Sequence, residues 1–341
     1  MKYDVTIGIP VYQAEIYLSQ SLESALAQTY LSVEFLLVDD GCTDGSMSII
    51  LEYQNTHPRG KAIRIISHEH NKGASAARNR IIDEAAGEYL YFMDADDVIA
   101  DNTIDLLMAG IRQYEAEIVM GSYEKINTDG RREVYQYPNQ QFLEEDQLAS
   151  FAYRKYAGIQ ASACNYLVKT SLLRTHKLRF IHVNYWEDLV FTFNLVTFVS
   201  RAVMLSEITY TYYCHDHSLS HYQHRDHISK DEIFNNVRAI DYLKETSSIL
   251  YNKVYYPNRC FNIMMTDFYI VCNILKRRKD IIPVVTDDEI KTMMTHPASF
   301  RQICAFRQSR YKNMAFYLLG HVPAFLCVAV IRMVGKIKKL I

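Results

Sequence analysis

Up to about residue 120 the chain alternates short apolar runs with amphipathic stretches, and that alternation leaves few folds open. Val5-Thr6-Ile7-Gly8-Ile9 reads as a strand that stops at Pro10, which has no N–H to donate. Ile16 to Gln28 places Leu18, Leu22, Ala25 and Leu26 at helical spacing. Phe35-Leu36-Leu37-Val38 is the unbroken apolar run of a strand buried on both faces. A helix follows from about Ser46, then a strand at Ile63-Arg64-Ile65-Ile66 and a helix from Ala74 to Ala86, with Gly87 as its C-cap. Tyr89 to Met93, Ile104 to Tyr114 and Ile118-Val119-Met120 continue the pattern as strand, helix and strand. Such a succession predicts an α/β fold with a Rossmann-like, doubly wound, mostly parallel sheet flanked by helices. Ligands of such sheets sit beyond the carboxyl ends of the strands. Two of those ends here carry clustered aspartates.

The rest of the chain is less regular. Asp129-Gly130 reads as a hairpin turn, Trp186 to Val199 as a helix, and Thr209 to Tyr213 as a strand. From about Ile228 the chain reads as helical, with the charge run Lys276-Arg277-Arg278-Lys279 in the middle. Met314 to Ile331 is nearly uncharged, and Arg332, Lys336, Lys338 and Lys339 follow it. A membrane-spanning helix needs about 20 apolar residues. His321 and Pro323 interrupt this stretch, so a membrane-surface segment with a basic end suits it better than a span. A buried terminal helix with a solvated basic end is the other reading.

Composition removes several classes of partner. The 341 residues suffice for one large domain or two. With 37 Lys and Arg against 39 Asp and Glu there is no positive excess for nucleic acid. The 7 Cys are scattered and odd in number, which argues against a disulfide framework or a structural zinc site and for a reducing, cytosolic compartment. Met1-Lys2-Tyr3-Asp4 runs straight into a strand, with no basic-then-apolar leader. Some of the 26 Tyr are expected to line a polar-aromatic cleft.

Chemistry concentrates in four segments. In Asp94-Ala95-Asp96-Asp97 three carboxylates crowd a strand end and repel one another unless a cation joins them. Hard oxygen ligands suit Mg²⁺ or Mn²⁺, which commonly bridge carboxylates to a diphosphate. An acidic loop that caps the next helix uses the same residues. Asp39-Asp40-Gly41-Cys42-Thr43-Asp44-Gly45 is a second acidic turn, able to accept from a nucleobase N–H or simply to form a tight turn. Tyr12, after Pro10-Val11, can stack on a base. Lys72 and Arg78, in Asn71-Lys72-Gly73 through Asn79, can reach a phosphate or a base, or lie at an ordinary helix start. There is no GxGxxG after a strand, no GxxxxGK[ST] and no GxSxG, which disfavours dinucleotide dehydrogenases, P-loop NTPases and α/β-hydrolases.

Taken in order, these segments resemble the motifs of family 2 glycosyltransferases. They are Pro10-Val11-Tyr12 with Glu15 and Leu18, Val38 through Ser46, Asn71 through Asn79, and Asp94-Ala95-Asp96-Asp97. Trp186-Glu187-Asp188-Leu189-Val190-Phe191 is similar to that family's Glu-Asp-x-x-Phe motif. The resemblance spans roughly residues 1–220. It implies a GT-A fold, a nucleotide-diphosphate sugar donor, a divalent metal and inversion at the anomeric carbon. By position it implies that Asp40 contacts the uracil, with Pro10, Val11 and Tyr12 bordering it. Glu15, Lys72, Arg78 and Ala95 complete the donor site. Asp94 lies near the ribose and sugar, and Asp96, with Asp94, holds Mn²⁺ or Mg²⁺. Asp188 is implied as the general base, with Glu187 beside it. Gln13 and Cys42 depart from the commoner Asn and Ser, and Asp101 from a frequent Pro. Cys214 stands where the family usually has Arg, which leaves His215 or His217 as candidates for a diphosphate contact.

The expectation is therefore an inverting transferase acting on a glycan or lipid-linked acceptor in cell-surface polysaccharide synthesis. Its place is cytoplasmic, at the inner face of the cell membrane, with peripheral contact through the tail. Residues 1–225 are expected to form the catalytic domain, with a nucleotide-sugar half over 1–120 and an acceptor half over 121–225. Residues 226–341 form a helical extension. A processive synthase is disfavoured because there is at most one marginal apolar segment and no Gln-x-x-Arg-Trp. A sugar-nucleotide nucleotidyltransferase calls for a glycine-rich basic loop where this chain has Gln13-Ala14-Glu15. A non-catalytic carbohydrate-binding or scaffold relative of the fold is the remaining alternative.

Overall fold

The computed structural model describes residues 3–154, 159–183, 186–215 and 227–341. Contacts divide the chain into two compact units. The first holds Met1–Leu148, Ala161–His182 and Phe191–Ser218, and the second holds Ala149–Gln160, Val183–Val190 and Leu219–Ile341. The helical unit thus includes two short stretches from within the first 225 residues, the second of which contains Glu187 and Asp188.

The first unit opens with β1 (Tyr3–Val11), α1 (Leu18–Leu26), β2 (Val33–Asp39), α2 (Ser46–Thr56), β3 (Ile63–Ser67) and α3 (Ala74–Glu84). It continues with β4 (Gly87–Phe92), β5 (Val98–Ile99), α4 (Thr103–Tyr114), β6 (Ile118–Ile126), β7 (Arg132–Tyr135) and β8 (Gln140–Phe142). The helix α5 (Gln147–Arg154) leaves it. β9 (Tyr166–Lys169) and α6 (Thr170–Thr175) return to it, α7 (Glu187–Leu195) contributes its C-terminal half, and β10 (Ala202–Tyr213) closes it.

Among the described residues ten strands share one sheet, ordered β3-β2-β1-β4-β9-β6-β10-β5, with β7 on β6 and β8 on β10. The strands β3, β2, β1 and β4 are parallel, as the alternating pattern predicts. β9 then inserts antiparallel between β4 and β6, and beyond it the sheet is mixed. β2 is buried along its whole length, as its unbroken apolar run requires. The Asp129-Gly130 turn does join an antiparallel pair, β6 and β7.

Three local expectations change. Pro10 lies inside β1 rather than ending it, registered against Val38 of β2. β4 pairs with β1 only as far as Gly8, so one flank of β1 is already open where Pro10 withholds its donor. Gly87 is not the cap of α3 but the first residue of β4. A Cβ there would stand 2.4 Å from the Thr6 backbone nitrogen, so the glycine is required by the close approach of β4 to β1. The helix expected from Trp186 begins at Glu187, because Trp186 has φ 71°, and it ends at Leu195. There the bonds tighten, with Thr197 and Phe198 N–H donating to the carbonyls three residues back, of Asn194 and Leu195.

The second unit is helical. Its elements are β11 (Ile228–Ser229), α8 (Lys230–Ser247), α9 (Tyr256–Lys276), β12 (Ile281–Ile282), α10 (Asp287–Met293), α11 (Phe300–Ala305), α12 (Arg310–His321) and α13 (Ala324–Ile337). α9 is central and carries a fully buried guanidinium. Arg259 donates to Ser247 Oγ at 2.8 Å, to the Leu243 carbonyl and to the Tyr153 hydroxyl. A buried cation survives only when its donors are satisfied in this way. Asp267, also buried in α9, meets Lys244 at 2.7 Å, and burial outweighs that partner and lifts its carboxyl to about 7. Thr286 with Glu289 and Ser299 with Gln302 form capping boxes that start α10 and α11. The apolar tail divides into α12 and α13 on either side of Val322 and Pro323. No helix among the described residues is long and apolar enough to cross a membrane.

Candidate active site

The sheet of the first unit delivers acidic turns to the carboxyl ends of β2 and β4. At the end of β2 the chain turns sharply through Gly41, φ 74°, where a Cβ would meet the His70 carbonyl carbon at 2.7 Å. This packs the 39–45 turn against the segment leading into α3. Asp40 is buried and binds that segment. It accepts from the Lys72 N–H at 2.9 Å and the Gly73 N–H at 2.8 Å, and its Oδ1 lies 2.6 Å from His68 Nδ1. A carboxylate there also answers the positive end of α3. Three of its roughly four lone-pair positions are thereby taken.

The neighbouring loop between β1 and α1 is fastened to the same turn. Gln13 Oε1 accepts from the Thr43 N–H at 2.8 Å, and Glu15 Oε2 accepts from the Gly45 N–H at 2.9 Å. Asp44 in return accepts from the Glu15 N–H. Pro10 and Val11 lie at the end of β1, Val11 buried. Tyr12 follows them half exposed, its ring available.

At the end of β4 the three aspartates meet three different environments. Asp94 accepts from Arg78 Nη2 at 2.8 Å, and Arg78 is itself buried, its guanidinium 5.5 Å from the Phe180 ring centre. Asp97 is fully buried. It accepts from the Tyr210 hydroxyl at 2.6 Å and the Tyr213 N–H at 2.9 Å. Burial first, then the Asp94 and Asp96 charges, hold its carboxyl well above the usual range. It ties the turn to β10. Asp96 is the open one, with 41% of its side chain exposed. Partial burial and then the Asp94 carboxylate raise its pKa, against a smaller lowering by His215 and Arg78. Ala95, between them, is buried.

His215 enters this cluster from just beyond β10. Its Nε2 is 3.5 Å from Asp96 Oδ2, and its ring stacks on Tyr17 with centroids 3.9 Å apart. His217 lies outside the described residues. The structure therefore gathers Arg78, Asp94, Ala95, Asp96 and His215 in one place, and Gln13, Glu15, Asp40 and Lys72 around the adjacent turn. Lys72 is tied by its backbone only, and its side chain is exposed. Glu187 and Asp188 form the first turn of α7 and belong to the second unit, where they are half-buried.

Tyr17 and Tyr210 were not singled out in the sequence, and Asp97, named there as one of three clustered carboxylates, turns out to be tied to β10. Tyr210 sits in the alternating Thr209–Tyr213 run, whose period of two puts it and Tyr212 on one face, and only the fold shows that this face meets the aspartates. Ser75 and Asn79, grouped with Arg78 in sequence, have a scaffold role. Ser75 Oγ donates to the Ile181 carbonyl, and Asn79 exchanges two hydrogen bonds with the Phe180 backbone.

Among the described residues no three His, Cys, Asp or Glu side chains converge as a preformed metal cage. Mg²⁺ and Mn²⁺ are commonly held by one or two carboxylates, the rest of the shell being water and substrate phosphate. Asp94 and Asp96 match that donor set. Burial and then the Asp94 carboxylate raise the Asp96 carboxyl, and a cation bound between the two would act in the opposite sense.

The profile described as "Glycosyl transferase family 2" matches residues 6–169, a stretch that contains both acidic turns. Glycosyltransferase GlyG of Streptococcus pneumoniae serotype 4 is 29% identical over 174 residues, 51% of this chain and 56% of that protein. The Escherichia coli UDP-Glc:alpha-D-GlcNAc-diphosphoundecaprenol beta-1,3-glucosyltransferase WfgD is 32% identical over 127 residues, 37% of this chain and 48% of that protein. The chain thus spans about half the length of these relatives. The crystal structure of S. aureus TarS 1-349 in complex with UDP-GlcNAc superposes with a TM-score of 0.65, covering 93% of this chain and 90% of that one at 18% identity. The aspartate-tipped parallel strands, the family match that encloses them and the shared fold lead to one conclusion: residues 6–169 form a family 2 glycosyltransferase domain, and the fold is GT-A.

Proposed function

We propose that the chain transfers a sugar from a nucleotide-diphosphate donor, a UDP-sugar, to a hydroxyl of a lipid-linked or glycan acceptor in cell-surface polysaccharide synthesis. The observation that carries this is the aspartate cluster after β4. One carboxylate is neutralised by Arg78, one is buried against Tyr210, and Asp96 is left open and under-compensated. That is the electrostatic state expected of a site that awaits a cation and a diphosphate. The names of the relatives point the same way, one acting with UDP-Glc on a diphosphoundecaprenol-linked sugar and another bound to UDP-GlcNAc.

In this reading the half-exposed Tyr12 stacks on the base, with Pro10 and Val11 beneath it. Asp40 borders the uracil with its remaining lone pair while its other contacts hold the turn. Glu15 keeps the Gly45 turn in place, and the exposed Lys72 side chain reaches toward phosphate. Asp94, fixed by Arg78, and the buried Ala95 lie beside the ribose and sugar. Asp96 and Asp94 hold Mn²⁺ or Mg²⁺, which when bound offsets the charge that builds on the leaving diphosphate. Asp188 takes the proton of the acceptor hydroxyl, whose oxygen attacks the anomeric carbon as the bond to the diphosphate breaks. A single in-line displacement inverts that centre. Glu187 orients the hydroxyl. Asp188 and Glu187 have these roles on the strength of their motif and their place at the start of α7.

The tail supports action at a membrane surface, on its cytoplasmic side. α13 buries Cys327, Val328, Ile331 and Gly335, yet it leaves Phe325, Leu326, Met333 and Ile337 exposed beside Arg332, Lys336, Lys338 and Lys339. A helix apolar on its open side and basic at its end suits an anionic bilayer.

The test is release of UDP from a panel of UDP-glucose, UDP-galactose and UDP-N-acetylglucosamine. It uses a membrane lipid extract as acceptor source and compares wild type with Asp188→Asn. Transfer from one donor is expected, with turnover lowered on the order of 10²-fold or more in the variant and donor binding retained. Release from no donor, or a variant as fast as wild type, would remove the catalytic reading and favour a non-catalytic binding relative.

A further inference from the structure

The second unit contains a cavity of about 270 Å³ that the transfer chemistry above does not use. It lies wholly within that unit. Five isoleucines line it, among them Ile233 of α8, Ile274 of α9 and Ile281 of β12, and these three are buried. The β11–β12 pairing, Ile228 with Ile281, brings two of the five together. Lys276 and Arg277, at the end of α9, also line it. So does Trp186, the residue directly before Glu187 and Asp188.

Two features mark this cavity as built for a ligand rather than left by loose packing. Trp186 holds φ 71°, a conformation that a bulky side chain adopts only under constraint. The backbone is thus held in an unfavourable state at the point that sets the indole into the cavity and starts the helix bearing Asp188. The second feature is charge. Lys276 begins the run Lys276-Arg277-Arg278-Lys279, and it makes no ion pair among the described residues. Arg277 keeps Asp280 at 3.0 Å, and Arg278 keeps Asp287 at 2.6 Å. An exposed ammonium with no ion pair among the described residues, beside a cavity lined largely by isoleucine, is complementary to an amphiphile with an anionic head.

Asn236, Tyr269 and Asn273 also line the cavity, but sugar hydroxyls are costly to bury without hydrogen bonds, which the isoleucine walls do not offer. They suit hydrocarbon. We infer that this cavity takes the junction between hydrocarbon and phosphate of a lipid-phosphate acceptor. The first carbons lie among the isoleucines and against Trp186, and the phosphate meets Lys276 and Arg277. The cavity is small by the standard of whole-ligand sites, so it holds that junction rather than the full chain. This deepens the transferase reading, on which it rests for the word acceptor, by naming the chemical class of that substrate and an anchor one residue from the proposed base.

Trp186 is the single tryptophan of the chain, so its fluorescence reports on this cavity directly. The experiment titrates the full-length protein with decyl phosphate below its micellar concentration, with decyltrimethylammonium and inorganic phosphate as controls, for wild type and Lys276→Glu. A saturable response to decyl phosphate is expected. It should weaken about tenfold in Lys276→Glu, the loss of one charge-assisted contact, and neither control should produce it. Equilibrium dialysis with labelled decyl phosphate provides a second readout if the indole is silent. No saturable binding by either method, equal binding of the cationic amphiphile, the same response to inorganic phosphate, or an unaffected Lys276→Glu variant would overturn the proposal. The titration uses no donor. A protein that binds decyl phosphate but turns over no nucleotide sugar contradicts the transferase reading alone, and an active transferase that ignores decyl phosphate contradicts the cavity assignment alone.

Discussion

Asp40, Asp96 and Asp97 carry the same side chain into three different jobs, and only their surroundings separate them. Asp40 is occupied by two backbone N–H groups and His68, Asp97 by Tyr210 and the Tyr213 N–H, and Asp96 by a single long contact to His215. The sequence marks all three as acidic residues in turns after strands. It does not show which is tied and which is open, because the ties come from residues 28 to 116 positions away. Gly87 shows the same limit. Its position before a strand looks like a helix cap, while its actual constraint is the Thr6 backbone across the β1–β4 ladder. Backbone cannot rotate away as a side chain can, so Gly87→Val is expected to destabilise the first unit by about 2 kcal/mol or more. Thermal unfolding should show a loss of several degrees, roughly 4–8 °C. A melting temperature within one degree of wild type would contradict the close-approach account.

Among the elements, those of the first 120 residues follow from local periodicity, since each buries its own apolar face and sits next to its neighbour in the ladder. β9 does not. Four residues, Tyr166–Lys169, run antiparallel between β4 and β6 on pairings some 50 to 80 positions apart, and nothing in their composition announces that slot. The tail was legible as apolar with a basic end, yet the sequence left open whether it packs or docks. In the structure α13 packs on one side and leaves the other exposed. Its packed side rests on α9, where a Cβ at Gly335 would lie 3.2 Å from Cys272 Sγ, and its open side presents Phe325, Met333 and Ile337. Cosedimentation with vesicles containing anionic phosphatidylglycerol is expected for wild type and should be lost in Phe325→Asp/Ile337→Asp, with the fold retained by circular dichroism. Wild type left in the supernatant, or a double variant that still pellets, would contradict membrane docking by this helix.

For the whole molecule, the family match covers residues 6–169, and the chain's remaining half is mostly helix. Five motifs in order were enough to reach the family from sequence, because both acidic turns follow strands and the strand ends were readable. The cavity beside Trp186 was not readable, since its isoleucines come from separate elements whose packing no local pattern encodes. The account stands or falls on the first unit binding a nucleotide-diphosphate sugar at Asp94 and Asp96. The most direct measurement is calorimetric titration of UDP-N-acetylglucosamine, UDP-glucose and UDP-galactose into the full-length protein, with Mn²⁺ and with EDTA, for wild type and Asp96→Ala. The account predicts saturable binding of at least one donor with Mn²⁺, weakened at least about tenfold by EDTA and by the substitution, the loss of one charge-assisted interaction. Binding that is indifferent to both metal and Asp96, or absent for every donor, would contradict it.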